Sequence, residues 1–141
     1  MTEWQLKLDL PALLRFIDES FPKAARPALG QLIALAPGHA RLALTPDATM
    51  LRPGNIVSGP TLMGLADVAA WAVVLGHIGP VPMAVTSNMA MAFLRPCRME
   101  PVTADARLLK LGRRIAVIDV RIWQDAEDRP VAQATFTYAL P

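Results

Sequence analysis

Apolar positions along this chain recur with two periods. Between Leu10 and Phe21 the spacing is helical: Leu13, Ile17 and Phe21 share a face, Leu14 flanks it and Pro22 ends the run, which predicts a short amphipathic helix. The stretch Leu62–Leu75 is apolar on every side and carries a single charge, Asp67, so it predicts a long helix buried all round. Gly59 suits its N-cap and Pro60 its first position, where a missing N–H does no harm, and the helix ends near Gly76–Gly79. Elsewhere the period is two. Gln31–Ala36 and Ala40–Thr45 predict strands joined by a turn at Pro37-Gly38, and Pro46–Val57 reads as a loop around Pro53-Gly54-Asn55. Four further strand-like runs follow the long helix: Met83–Leu94, Val102–Leu111, Arg114–Gln124 and Val131–Leu140. In the first of them Val85, Met89, Met91 and Phe93 fall on one face, and Thr86, Asn88, Ala90 and Ala92 on the other.

The order helix, two strands, long helix, four strands predicts an α+β fold. Strands in consecutive hairpins imply an antiparallel sheet, and a curved sheet wrapped around the apolar helix covers it most simply. No linker or repeat interrupts the pattern, and 141 residues fit one globular domain. Residues 1–28 read as an N-terminal helical segment packing on a domain of residues 29–141. An apolar fraction of 53% against 18% charged residues predicts apolar surface beyond one core, the mark of a subunit interface.

Charge and cysteine content narrow the function. A net charge of +2 without a basic run gives no nucleic-acid footprint. The one cysteine, Cys97, excludes a disulfide within the chain and a cysteine metal cluster, and is read as structural. His39 and His77 lack metal-ligand spacing, so no metal or other cofactor is expected. His77, at a helix C-terminus, sits where a cation is favoured. Leu62–Ile78 is short for a membrane span and carries Asp67 and His77, and no signal-peptide pattern opens the chain, so a soluble cytoplasmic protein without a membrane partner is expected.

Asp67 is the outstanding candidate for chemistry. Its neighbours one turn away are Met63, Gly64, Ala70 and Trp71, none of them a cation. A carboxylate in such surroundings is costly unless it is paired, neutralised or functional; the bland alternative is a structural Asp satisfying backbone groups.

Several short pieces in order carry a resemblance: Leu29-Gly30, Pro37-Gly38-His39-Ala40, Pro53-Gly54-Asn55-Ile56-Val57-Ser58-Gly59, Leu65-Ala66-Asp67, Val85-Thr86-Ser87-Asn88, Phe93-Leu94-Arg95-Pro96 and Leu111-Gly112-Arg113. Together they resemble the PaaI-type acyl-CoA thioesterases of the hotdog fold. The family pattern before the helix is His-Gly-Gly followed after six residues by a catalytic Asp. Here Ser58-Gly59-Pro60 stands in its place, and Arg52 occupies a position often held by Asn, with Asn55 only three residues before Ser58. The resemblance implies hydrolysis of a medium-chain or aryl acyl-CoA ester, with Asp67 as general base or nucleophile, the Gly59 amide as oxyanion donor and Thr86 positioning the attacking water. Ser58, Asn55, Asn88 and Arg52 are candidate substrate contacts, Ser58 alternatively helping to cap the helix. Trp71 is a candidate pocket wall, and Arg95, Arg113 and Arg114 are candidates for coenzyme A phosphates.

Gly59 and Asp67 are eight residues apart, roughly 12 Å along one helix, so one carbonyl cannot meet both in the same chain. The arrangement the resemblance implies resolves this with a site at a dimer interface, and such dimers often pair into tetramers. Two other readings use the same fold: an enoyl-thioester hydratase, which needs a His beside the helix carboxylate, and a non-catalytic acyl-thioester-binding protein.

Overall fold

The computed structural model describes residues 4–141; residues 1–3, part of the N-terminal segment delimited above, lie outside the described residues. Helix α1 (Leu10–Ser20) starts where Asp9 accepts from the Ala12 N–H at 2.9 Å, and it buries Leu13 completely. A short helix α2 (Arg26–Leu29) leads into β1 (Gln31–Ala36) and β2 (His39–Leu44), an antiparallel hairpin. Gly38 in its turn has φ +73°, and an added Cβ there would stand 2.5 Å from the Trp4 ring, so both backbone and space call for glycine. The stretch read as a loop contains a small hairpin of its own, β3 (Leu51–Arg52) with β4 (Ile56–Val57).

Helix α3 (Gly59–Ile78) follows, then β5 (Val85–Phe93), β6 (Val102–Leu111), β7 (Ile115–Trp123) and β8 (Ala132–Ala139). The main sheet is antiparallel in the order β1-β2-β6-β7-β8-β5. This corrects the expectation of consecutive hairpins after α3: β5 pairs with β8, not β6, and β6 crosses over to β2. Strand β5 therefore forms a sheet edge, with β8 its one neighbour among the described residues.

The sheet curls around α3, which lies across β2, β6 and β7. Its floor is paved with small residues: Ala40, Ala104, Ala106 and Ala134 are all buried, and they let Ala66, Ala69, Ala70 and Val73 of the helix come close. This fold is the hotdog arrangement expected from the sequence. The helix is not buried all round, however. Met63, Asp67, Val68 and Trp71 stay half-buried and Gly64 is exposed, one stripe at helical spacing that the sheet leaves uncovered. By length and hydropathy α3 could cross a membrane, yet it is the core helix of this fold.

Candidate active site

The start of α3 is built by Ser58, not Gly59. Ser58 is the N-cap, its Oγ accepting from the Thr61 N–H at 3.3 Å, and Gly59 is the first helical residue. Ser58 has the side chain a cap needs, whereas Gly59 has none to offer. The Gly59 N–H is one of the donors a helix start leaves without an intrahelical acceptor. An added Cβ at Gly59 would lie 3.5 Å from the Phe93 ring, so β5 ends directly over the helix start.

Two turns further, Asp67 is half-buried where full burial was expected, because it belongs to the uncovered stripe. It is not unpaired. Its Oδ1 accepts from Tyr138 Oη at 2.6 Å and from Thr86 Oγ1 at 2.5 Å, and Oδ2 takes no donor among the described residues. Burial, and then the neighbouring Asp67 carboxylate, hold the Tyr138 phenol well above its ordinary range, against a smaller opposing effect of Thr86. The phenol therefore stays a hydrogen-bond donor at any pH the protein meets.

Thr86 reaches Asp67 through an irregularity. The register runs Thr86↔Tyr138 and then Asn88↔Thr137, so Ser87 is an extra residue in β5. This bulge turns Thr86 to the helix side together with Met89, Met91 and Phe93, whose partners Phe136, Ala134 and Ala132 are buried. Asn88 is left on the outer face. The shared face expected for Thr86 and Asn88 is thus wrong, because strict alternation fails across a bulge.

A cavity of about 550 Å³ opens beside these groups, lined by Asp67, Thr86 and Tyr138 at one end and by Val68, Trp71 and Phe21 at the other. Of the candidate residues, the structure brings together Asp67, Thr86 and Trp71. Arg52 and Asn55 sit on the exposed β3–β4 hairpin, Asn55 with φ +60° in its turn, and neither lines the cavity. Arg113 and Arg114 line a basic cleft with Lys110 beside the end of β8. Arg95 donates to the Pro130 carbonyl at 2.7 Å and shares another cleft with Arg98 and Arg129.

Tyr138 is the residue that sequence reading passed over, since in Val131–Leu140 it looks like any inward-facing core position. It is the chain's only tyrosine. A buried phenol needs a partner, and that is the signal a register between β5 and β8 would have exposed.

Neither histidine joins the site. His77 is not a helix-end cation: it is buried, its Nδ1–H donates to the Val73 carbonyl at 2.7 Å, and its Nε2 accepts from the Gly38 N–H at 2.9 Å. Desolvation lowers its pKa, outweighing the Val73 bond, so it serves as a neutral brace between helix and hairpin. His39 lies on the outer face of the sheet against Asp105. Cys97 is buried, which pushes its thiol up to about 11.

Comparison with known proteins fits this picture. Residues 54–131, more than half of the chain, match the Thioesterase superfamily, and the chain belongs to that family. It is a thioester hydrolase by that membership. A "putative thioesterase" of Silicibacter sp. has 37% identical residues and superimposes with a TM-score of 0.86 over 98% of this chain and 95% of its own. The Escherichia coli PaaI protein of the phenylacetic acid degradation operon is 26% identical, with a TM-score of 0.75 over 91% of this chain and 95% of that one. A Streptococcus mutans protein bound to acetyl CoA shares the fold at 22% identity, with a TM-score of 0.71 over 79% of this chain and 88% of its own.

Proposed function

We propose that this chain hydrolyses an acyl-CoA thioester with Asp67 at the reacting centre, in a site completed by a second copy of the chain. The observation that carries this reading is the Asp67 carboxylate: one oxygen is held by two hydroxyl donors while the other is free beside a largely apolar cavity. The acetyl CoA bound by the Streptococcus mutans relative supports the class of substrate.

In this reading the free carboxylate oxygen takes a proton from water as the water adds to the thioester carbonyl, and collapse of the adduct breaks the C–S bond with that proton passing to the leaving sulfur. Alternatively the carboxylate attacks the carbonyl itself, the C–S bond breaks to release a thiolate, and water hydrolyses the acyl–Asp67 anhydride to free acid and carboxylate. The developing oxyanion needs a donor about 3 Å away. The Gly59 N–H of the same chain is roughly 12 Å distant along α3, so the donor comes from the second copy. The β5 edge suits such a partner: Met83, Val85, Phe93 and Leu94 are each about half exposed or more, on or beside a strand with an unpaired side. Antiparallel pairing of two β5 strands about Met89 would set Phe93 of one copy against Val85 of the other. That brings one copy's helix start to the other's Asp67. It also sets the Arg95 cleft of one copy near the Arg113–Arg114 cleft of the other, two cation sets suited to coenzyme A phosphates. Trp71 walls the acyl group, and Ser58 serves by capping the donor helix.

The test is thiol release from a panel of acyl-CoA esters, with oligomeric state measured in parallel. The wild type is expected to turn over at least one ester as a dimer or larger. Asp67→Asn should lose at least about a hundredfold, about 2.7 kcal/mol of barrier, while keeping the oligomer. A fully active monomer would overturn the shared site. Single-turnover hydrolysis in heavy-oxygen water separates the two roles of Asp67, because attack by the carboxylate, with water then opening the anhydride at its Asp67 carbonyl, leaves an unlabelled Asp67 oxygen in the first product.

A further inference from the structure

The cavity beside Asp67 has a neighbour on the far side of Trp71. A second cavity of about 440 Å³ lies between the N-terminal segment, α3 and the β1–β2 hairpin. The two share four wall residues, Phe21, Leu29, Val68 and Trp71. Trp71 is held in place by α1 and the residue after it: the Phe16 ring stacks on it at 6.0 Å and the Phe21 ring meets it edge-on at 5.5 Å. The far chamber is walled largely by apolar side chains such as Leu14, Ile17, Leu42 and Leu44, and its one charged residue, Arg26, is engaged by Asp18. Across the two cavities polar groups stand at one end, where Asp67, Thr86 and Tyr138 meet, and apolar walls continue beyond the Trp71–Phe21 pair.

Resting on the thioesterase reading above, we infer that the far chamber is the subsite for the distal part of a straight acyl chain. The N-terminal segment is then the element that sets chain length, and the substrate class is a linear medium-chain acyl thioester rather than a compact aryl one. A carbonyl at Asp67 directs its tail along α3. Trp71 lies one turn from Asp67, about 6 Å by helical rise, so a short acyl group ends in the first cavity and only a longer chain reaches past Trp71, along the shared wall of Leu29 and Val68 and beside the touching Trp71–Phe21 pair. Each methylene that enters an apolar chamber leaves water, which strengthens binding by about fourfold.

The experiment measures binding and turnover separately on the full-length chain. Non-cleavable butyl and octyl thioethers of coenzyme A are titrated calorimetrically, and acetyl, butyryl, octanoyl and phenylacetyl esters are assayed for hydrolysis. The octyl thioether is expected to bind at least tenfold tighter than the butyl one, and the octanoyl ester to have the highest kcat/KM. Leu14→Trp, which fills the far chamber, should cut the octanoyl-to-acetyl ratio of kcat/KM at least tenfold. Equal binding of the two thioethers, or a phenylacetyl preference over octanoyl, overturns the subsite whether or not Leu14→Trp folds. Chain-length-dependent binding with no hydrolysis of any ester would instead keep the subsite and sink the thioesterase reading.

Discussion

Asp67 and Asp105 are carboxylates from opposite sides of the same sheet, and their surroundings differ in kind. Asp105, on the outer face of β6, is only 2% exposed and meets three basic side chains. His39 and Arg41, the latter at 3.4 Å, take Oδ1, and Arg107 takes Oδ2 at 3.3 Å, while the Arg41 guanidinium lies 5.2 Å from the centre of the Trp123 ring. Both oxygens are committed, and cross-strand pairing puts Asp105 between Arg41 and Arg121. Among the described residues Asp67 has no cation, two neutral donors on one oxygen and none on the other. The more deeply buried acid is the one with both oxygens paired. On the proposed reading, what singles out the reacting carboxylate is an incomplete set of partners beside a cavity, not depth.

Paired substitutions test that contrast. Asp67→Asn, with its expected hundredfold loss of turnover, should leave the melting temperature nearly unchanged. Asp105→Ala should do the reverse. Turnover should stay within about twofold, while chemical denaturation shows a stability lower by about 1–3 kcal/mol; the loss is moderated because Arg41 and Arg107 keep access to water. If Asp105→Ala abolished activity in a folded protein, the distinction would collapse. Tyr138→Phe probes the held oxygen of Asp67. Losing one donor should lower kcat about tenfold. An unchanged kcat in a folded Tyr138→Phe protein would make Tyr138 a mere packing residue.

The smallest effect concerns His77, the structural counterpart among the histidines. Its folded-state pKa lies below the unfolded value, so the unfolded chain binds the extra proton. The stabilisation is therefore complete above about pH 6.5 and is lost as pH falls below it. His77→Phe should be less stable by about 1–3 kcal/mol at neutral pH, because the Gly38 N–H loses its acceptor. The fall in stability between about pH 7 and 5 should also be shallower than in the wild type, measured by denaturant melts at each pH.

Much of the fold was legible because it rests on local pattern. The long apolar helix, its lone carboxylate, the short α1 and the alternating strands are all written in nearest neighbours. What escaped depends on partners distant in the chain. The placing of β5 beside β8 needs a crossover that the eight residues between Phe93 and Val102 resemble a hairpin loop too closely to reveal. Tyr138 meets Asp67 across 71 positions. His77 was read by its place on a helix, yet its role is set by a turn 39 residues earlier. The Ser58 cap was visible in outline, since Ser at such a position is a strong signal, but Gly59 next to it is an acceptable cap as well.

The extra residue at Ser87 makes the orientation of a side chain a matter of parity. In an unbroken strand of the same residues Thr86 would point outward, and Val85 would be the residue facing the helix. The hydroxyl beside Asp67 therefore depends on a count as much as on an amino-acid identity. When related chains are aligned, a column that matches Thr86 to another hydroxyl means the same thing only if both strands have passed through the same number of reversals before reaching it.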